Sequence, residues 1–211
     1  MIDGTSSDYL TLGVSDVAYA INIRSDNDSR RPLEALWERC GALGGSPSMA
    51  TLHYPPHISL AIYDDIDPSA LFRALDSACI GLNAMTIRFS KLGYFEAPQA
   101  IILWAAPEMP EQLYSVHAHV HSKIGAERCR PNYRPGKWTP HSSLALAVPP
   151  ENKGCALALV EEGIEPFEVV FDRADCASFM PVKVLYEKVL ADLTPNRPLQ
   201  GTRRKRRAPE R

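Results

Sequence analysis

The chain has 211 residues, enough for one ordinary domain or for two small lobes that share a cleft. Hydrophobic residues make up 45% of it, which supplies a sizeable core, and the longest apolar runs are too short to cross a bilayer. The formal net charge is −2, and five scattered cysteines form no CxxC pair. These features exclude a spanning helix and a disulfide framework, and they favour a reducing compartment.

The N-terminus (MIDGTSSDYL) has neither the basic flank nor the apolar stretch of an export signal, so we expect a cytoplasmic protein with no membrane partner.

Charge is distributed unevenly along the chain. Residues 197–211 contain seven Lys or Arg and one Glu, whereas the rest has 16 basic and 24 acidic residues, a net charge of −8. An acidic body argues against broad coating of nucleic acid, so any phosphate should bind in a small, specific site.

Helix and strand patterns alternate along the first half of the chain, with prolines between them. Apolar alternation predicts a strand at VAYAINI. A helix follows in PLEALWERCGAL, where Pro32 takes the first helical position and two glycines mark the end. A strand at PHISLAIY, a helix at PSALFRALDSACIG and two strands, around MTIRFSKLGYFE and QAIILWAA, complete this half.

The second half repeats the order. We predict a helix at PEQLYSVHAHVHSKIG, a strand at HSSLALAV, a helix at PENKGCALALVEEG, strand structure at FEVVFDRADCASF, and a strand or helix at VKVLYEKVL. Matching positions lie 82 to 84 residues apart, which indicates an internal duplication. We expect one bilobal domain over residues 1–190, with the lobe boundary near 107–110. The basic tail, residues 191–211, has no apolar periodicity and is predicted to be disordered.

A short motif occurs once in each half, as PHISL at residues 56–60 and as PHSSL at residues 140–144. Residues i and i+2 of a strand point to the same face, so His57 projects with Ser59 and His141 with Ser143. A pseudo-twofold axis between the halves would make the two pairs face each other across a cleft. Such an arrangement suits phosphodiester chemistry. One imidazole can deprotonate water or a ribose hydroxyl while the other protonates the oxygen that leaves the phosphorus.

Two His-x-Ser/Thr-hydrophobic motifs after proline, about eighty residues apart, make the sequence resemble the 2H phosphoesterase superfamily of 2′-5′ RNA ligase-like proteins and 2′,3′-cyclic phosphodiesterases. The resemblance implies an α+β fold of two pseudo-symmetric lobes, each a small antiparallel sheet with outer helices, around a central cleft. It implies His57 and His141 as the acid–base pair and Ser59 and Ser143 as the phosphate-binding hydroxyls. The implied activity is cofactor- and metal-independent hydrolysis of a cyclic or related ribose phosphodiester at a nucleotide or RNA end.

The motifs depart from the RNA ligase-like branch in two respects. Both have Ser where that branch mostly has Thr, and the second lacks the arginine that often follows it there. Phosphate contacts would then come from Lys137 or Arg134, just before the second motif. The candidate residues for stacking on a base are Tyr19, Tyr54, Tyr63 and Trp138. For each of these aromatic residues, ordinary core or rim packing is the competing interpretation.

Other interpretations of the histidines stay open. His117 and His121 are four residues apart on a predicted helix, a spacing that permits chelation of a divalent metal. No HExxH glutamate accompanies them, so we expect exposed histidines there, with a metallohydrolase as an alternative function. His53 and His57 share the spacing, but the two prolines between them prevent a helix. A non-catalytic nucleotide- or RNA-binding module of the same fold is a further alternative. We expect a monomer whose substrate is a small nucleotide or an RNA end, with a weak RNA contact through the tail.

Overall fold

The computed structural model describes residues 17–44, 49–108, 111–179 and 181–191. Within them the chain forms eight strands and four α-helices. The strands are β1 (Ala18–Arg24), β2 (His57–Tyr63), β3 (Met85–Ala97), β4 (Ala100–Pro107), β5 (Ser142–Val148), β6 (Phe167–Phe171), β7 (Arg173–Phe179) and β8 (Lys183–Val189). The helices are α1 (Arg31–Gly41), α2 (Pro68–Ala78), α3 (Glu111–Ile124) and α4 (Lys153–Glu162). The predicted disordered tail lies outside the described residues, apart from its first residue.

The strands form two four-stranded antiparallel sheets, which confirms the predicted α+β class. The first sheet has the order β2-β1-β7-β8, and the second has the order β5-β4-β3-β6. Each sheet takes two strands from either side of residues 107–110, so this stretch does not coincide with the division between the two sheets. The two halves of the chain are therefore interwoven, because each sheet needs strands from both.

The helices are exchanged between the sheets in the same way. Helix α1, which connects β1 to β2 of the first sheet, packs on β5 of the second. Helix α3, which connects β4 to β5 of the second sheet, packs on β2 of the first. Helices α2 and α4 cover the sheets of the strands that precede them. Strands β2 and β5, which carry the two motifs, are edge strands of their sheets and contact each other.

Local sequence explains how the chain moves between the sheets. The segment FEVVFDRADCASF is divided at Asp172 into β6, which pairs with β3, and β7, which pairs with β1. The Asp172 carboxylate accepts a hydrogen bond from the backbone N–H of Asp26, which holds the crossing point against the end of β1. The last segment is a strand and not a helix, because β8 pairs with β7 along its whole length.

Amphipathic patterning places the core where the sequence predicts it. Helix α1 begins with Pro32 in its first turn and buries Leu33, Leu36, Trp37 and Cys40 on one stripe. No helix within the described part of the chain is long and apolar enough to cross a membrane.

Candidate active site

The two motif strands present their polar and apolar residues on opposite faces. In β2, Ile58 and Leu60 are fully buried, whereas His57 and Ser59 are half-buried on the cleft face. The ladders on both motif strands carry a bulge directly after the serine, at Leu60 against β1 and at Leu144 against β4. Bulges re-aim side chains and are frequent beside functional sites. The duplication has thus preserved a local backbone irregularity together with the motif.

Each motif histidine is held by its own backbone through the Nδ1 atom. His57 Nδ1 lies 3.0 Å from the carbonyl oxygen of Pro55, and His141 Nδ1 lies 2.7 Å from that of Thr139. A carbonyl only accepts, so Nδ1 carries the proton in both rings and Nε2 is left to exchange a proton. The two imidazoles are therefore oriented in the same way, each by the residue two positions before it.

Burial lowers the pKa of both imidazoles from the ordinary value of 6.5, but the groups that oppose or add to this effect differ between the two. For His57 the carbonyl of Pro55 and the negative charge of Asp175 oppose the effect of burial, while the charge of Arg24 adds to it. For His141 burial dominates, the carbonyl of Thr139 opposes it, and a charge on His57 lowers the pKa further, to about 4. The two rings are thus close enough that a proton on His57 disfavours a second proton on His141.

A hydrogen-bond network of buried groups lies beside His57. The Ser59 hydroxyl donates to Asn22 Oδ1 (2.8 Å), and Asn22 Nδ2 donates to Tyr54 OH (3.0 Å) and to Asp175 Oδ1 (3.1 Å). Tyr54 OH in turn donates to the Asp175 carboxylate, at 2.7 Å from Oδ1. The ring of Tyr54 also contacts that of His57, with centroids 4.7 Å apart. Ser59 and His57 are therefore both positioned by groups that converge on one carboxylate.

The charge of that carboxylate is balanced by Arg24. Asp175 is fully buried, and its Oδ2 accepts from Arg24 Nε at 2.7 Å. Arg24 also pairs with Glu187 on β8 and, at 3.4 Å, with Asp26. A buried carboxylate needs such a partner, because an unpaired charge would be strongly disfavoured away from water. The surface of the first sheet beside His57 and Ser59, which we call its floor, is consequently polar and charged.

The equivalent floor of the second sheet is aromatic. Trp104 pairs in register with Ser143, as Asn22 does with Ser59, and Gly93 lies beside Trp104 as Asp175 lies beside Asn22. The ring of Trp104 contacts Phe95, with centroids 5.1 Å apart, and lies 6.0 Å from His141. Phe95 meets the His141 ring edge-on at 5.2 Å. His141 is therefore surrounded by uncharged rings, and only the carbonyl of Thr139 opposes the effect of burial on its pKa.

Two indole N–H groups connect the sheets at the motif serines. Trp37 on α1 donates to the carbonyl oxygen of Ser143, and Trp138 donates to that of Ser59, each at 3.0 Å. Because each tryptophan comes from a segment packed across the sheet boundary, the pair restrains the separation of β2 from β5. No pattern in the sequence indicated this use of Trp37 or Trp138.

The predicted phosphate-binding residues in the loop before His141 have different surroundings. Lys137 is exposed in this loop. Arg134 donates through Nε to the carbonyl of Cys129 and through Nη2 to that of Glu127, both at 2.8 Å. Its guanidinium therefore stabilises the loop, and the expectation that it contacts phosphate has no support in this arrangement.

The four aromatic residues proposed to stack on a base are either away from the motif histidines or in contact with other side chains. Tyr63 is fully buried, so the prediction that it contacts substrate is wrong. Tyr19 pairs with Tyr63, six residues along β2 from His57 and thus about 20 Å away, so it is also wrong as a site residue. Trp138 lies at the site, but one face is stacked on His117, 4.0 Å away at an interplanar angle of 2°. Tyr54 is buried in the hydrogen-bond network described above.

Two of the three histidines on α3 are buried, and for these two the expectation of exposed histidines is wrong. His117 and His121 are 4% and 6% exposed, and their Nε2 atoms both lie 2.9 Å from the carbonyl oxygen of Tyr133. They face inwards because Trp138 and this loop cover them, whereas His119 stays exposed. Both Nε2 atoms are committed as donors, which is incompatible with chelating a metal in this arrangement. No three His, Cys, Asp or Glu side chains within the described ranges come together as a metal site.

The site also contains residues that sequence reasoning missed. Asn22, Arg24 and Asp175 belong to strands recognised as strands, but nothing local marks them as neighbours of His57. Asp175 is 153 residues from Asn22 in the chain. The available signal was the duplication itself, since Asn22 and Trp104 are offset by 82 residues and occupy equivalent strand positions.

Two antiparallel sheets that meet at a pair of His-x-Ser edge strands are the arrangement of the 2H phosphoesterase superfamily. The 2′-5′ RNA ligase superfamily matches residues 30–179, and the chain belongs to this family. No curated protein matches the sequence. Membership supports a phosphoesterase activity in general.

Solved structures share the fold at low sequence identity. A phosphoesterase is 16% identical with a TM-score of 0.57, over 84% of this chain and 99% of the other. Escherichia coli LigT complexed with 3′-AMP is 12% identical with a TM-score of 0.56, over 84% and 99% of the two chains. TT0787 of Thermus thermophilus is 15% identical with a TM-score of 0.54, over 84% and 100%. These similarities establish the architecture, and they do not identify the substrate.

Proposed function

We propose that the protein hydrolyses a 2′,3′-cyclic phosphate, or a related ribose phosphodiester, at a nucleotide or RNA end by two-histidine acid–base catalysis without a metal. One observation carries the proposal: both motif histidines bind a backbone carbonyl through Nδ1 and leave Nε2 available, on adjacent edge strands. Two imidazoles arranged in this way supply one acid and one base to the same phosphorus. The similarity of fold to LigT, which has been crystallised with 3′-AMP and with NADP+, supports a nucleotide-like substrate.

The different surroundings of the histidines support different roles, with His57 as the acid and His141 as the base. Asp175 favours the protonated form of His57, whereas the rings around His141 and the charge on His57 favour a neutral His141. In hydrolysis, His141 Nε2 takes a proton from water as the water oxygen bonds to phosphorus. The bond from phosphorus to one ribose oxygen breaks, and that oxygen receives the proton from His57 Nε2. Each step conserves charge and leaves the two histidines with exchanged protonation states, which a solvent proton transfer restores.

The serines contribute to phosphate binding. A hydroxyl on the same face as each histidine can donate to a non-bridging phosphate oxygen, where negative charge accumulates in the transition state. Ser59 already donates its one hydroxyl proton to Asn22, so the phosphate must compete with Asn22 for it. We therefore expect Ser143 to be the stronger phosphate ligand of the two.

Turnover of 2′,3′-cyclic nucleotides in the presence of EDTA tests the proposal. The wild-type protein should hydrolyse them with EDTA present, and His57→Ala and His141→Ala should each reduce the rate by about 10²–10⁴-fold. Glu96→Gln, which alters an exposed ion pair with Lys153, serves as the control and should leave the rate unchanged.

Three results would contradict it. Activity that is lost with EDTA and restored by a divalent metal would favour a metallohydrolase. Tight nucleotide binding with no turnover would favour the binding-only module. Unchanged turnover after either histidine substitution would remove the two-histidine mechanism.

A further inference from the structure

We propose that Phe95 and Trp104 form an aromatic platform that binds the nucleobase of the substrate beside His141. This inference rests on the proposed function, since it names the part of a nucleotide that the second sheet recognises. It goes beyond the motif residues, because neither ring belongs to a His-x-Ser strand. The platform is carried by the adjacent strands β3 and β4.

The strand registers place the platform on the floor of the cleft. Trp104 is directly opposite Ser143, whose side chain shares a face with His141. Phe95 is opposite Ile102, two residues from Trp104, and therefore lies on the same face of the sheet. Both rings are half-buried, whereas the core residues on the other face of β4, Ile101, Leu103 and Ala105, are buried. The rings thus lie on the side of the sheet where the substrate would bind.

Gly93 determines how the indole lies. A Cβ atom added at Gly93 would overlap three atoms of the six-membered ring of Trp104. Those three atoms are consecutive in the ring and lie at similar short distances from the added Cβ, which places the Cβ over the ring and not beside its edge. One face of the indole therefore rests on the backbone of β3. A ring that lies flat on a sheet presents a broad surface and not an edge, which is the geometry that base stacking needs.

Among the residues that the structure describes, the first sheet offers no equivalent surface. The positions that correspond to Trp104 and Gly93 are Asn22 and Asp175, which are buried in a hydrogen-bond network. Of the two sheet surfaces beside the motif strands, only that of the second sheet therefore offers a base a ring to stack on. The substrate should bind in one orientation, with its base towards His141.

The test measures binding and turnover with and without a base. The ligands are 3′-AMP and, as the baseless equivalent, methyl riboside 3′-phosphate, titrated by calorimetry; the substrates are the corresponding 2′,3′-cyclic phosphates. Trp104→Leu and Phe95→Leu remove the rings, while Gly93→Ala keeps both rings and displaces the indole. Gly93 does not have a positive φ, so alanine adds a clash with the ring without imposing backbone strain. His53→Ala is the control; its side chain lines another cavity, beside β2, to which Tyr54 and Pro55 also contribute.

Each platform variant should weaken 3′-AMP binding and lower kcat/KM for the cyclic nucleotide by roughly tenfold, since stacking on one ring is worth about that factor. Binding of the baseless ligand should be unaffected, whereas the changed surroundings of His141 should alter kcat/KM for both substrates by the same additional factor. His53→Ala should leave all four values unchanged. Equal losses for ligands with and without the base would show that the rings only support the fold of the site. A base-dependent loss in His53→Ala and not in the platform variants would move the base to the other cavity. Either result would overturn the inference.

Binding separates this inference from the proposed function. If the wild-type protein bound 3′-AMP more tightly than the baseless ligand but hydrolysed no cyclic phosphate, the proposed function would fail and the platform would stand. If it hydrolysed both cyclic phosphates with equal kcat/KM, the function would stand and the platform would fail.

Discussion

The two halves of the site have the same backbone plan and opposite chemistry. A bulged His-x-Ser edge strand lies beside one central strand in each sheet. On the first sheet the neighbouring positions hold Asn22 and Asp175, and on the second they hold Trp104 and Gly93. The duplication has therefore kept the His-x-Ser motifs and changed the residues on the neighbouring strands. A symmetric pair of imidazoles becomes an asymmetric pair through its surroundings.

This difference matters because acid–base catalysis needs the two imidazoles in different protonation states. If both had the same surroundings, a single proton would be shared equally between them, and only part of the protein would be in the productive form. A carboxylate close to His57 and uncharged rings around His141 favour one of the two arrangements. The comparison can be tested by removing the features that distinguish the halves.

The largest expected effect separates the roles of the histidines. We expect His141→Ala to lose about 10²–10⁴-fold in rate on every substrate, since it removes the base. His57→Ala should lose a similar factor on a ribose leaving group, but much less on a ribonucleoside 3′-(p-nitrophenyl phosphate), because p-nitrophenolate departs without an acid. The double variant should cost much less than the product of the single losses. Steady-state kinetics on both substrates provides the measurement. If the p-nitrophenyl substrate restored the rate of His141→Ala and not that of His57→Ala, the assignment of acid and base would be reversed.

The next prediction concerns the carboxylate that distinguishes the first half. Asp175→Asn removes a charge that raises the pKa of His57, so this pKa should fall further below 6.5. Because His57 must be protonated, kcat/KM should decline at a lower pH than in the wild type, and activity at pH 7 should drop while the low-pH limb set by His141 stays in place. The pH profile of kcat/KM is the measurement.

The same substitution should reduce stability. It leaves Arg24 buried with one partner fewer, which should lower the free energy of unfolding by about 3 kcal/mol, measured by urea denaturation. Glu96→Gln, on an exposed ion pair, should change it by less than about 1 kcal/mol. A stability loss without any shift of the pH profile would mean that Asp175 only supports the fold.

A smaller effect should distinguish the two serines. Ser143→Ala should raise KM more than Ser59→Ala, because the Ser59 hydroxyl must give up its bond to Asn22 before it binds phosphate. Both should cost less than either histidine substitution. Replacing Asn22 by Ala frees the Ser59 hydroxyl, so in that background Ser59→Ala should cost more than it does in the wild type. Equal effects of Ser59→Ala in the two backgrounds would show that the bond to Asn22 does not limit phosphate binding.

The smallest expected effect concerns the two indoles that connect the sheets. Trp37→Phe and Trp138→Phe each remove one hydrogen bond to a serine carbonyl, and each should lower the free energy of unfolding by about 1 kcal/mol. Trp37 is the more deeply buried, so its carbonyl partner is less able to bind water instead, and its loss should be the larger. Thermal unfolding of the two variants decides the order.

Much of this architecture could be predicted from the sequence, because it depends on local periodicity. Alternating apolar residues identified the strands, and proline, glycine and helical spacing identified the four helices. The repeated motif placed His57 with Ser59 and His141 with Ser143. Where periodicity was weak, as in the last segment, pairing with β7 determined that it is a strand.

Long-range pairing decided what the sequence left open. Tyr63 is an aromatic residue close to the first motif in sequence, but its position along β2 places it in the core. His117 and His121 match the pattern of an exposed helix face until Trp138 and the Tyr133 carbonyl cover them.

Sequence by itself determined that this protein carries two equivalent His-x-Ser motifs, since the spacing within a strand fixes which side chains share a face. Only the tertiary structure decided that the two motifs are not equivalent in surroundings. The residues that make them differ, such as Asp175 and Gly93, come from strands far along the chain, and their place beside a motif depends on which strands pair and in what register.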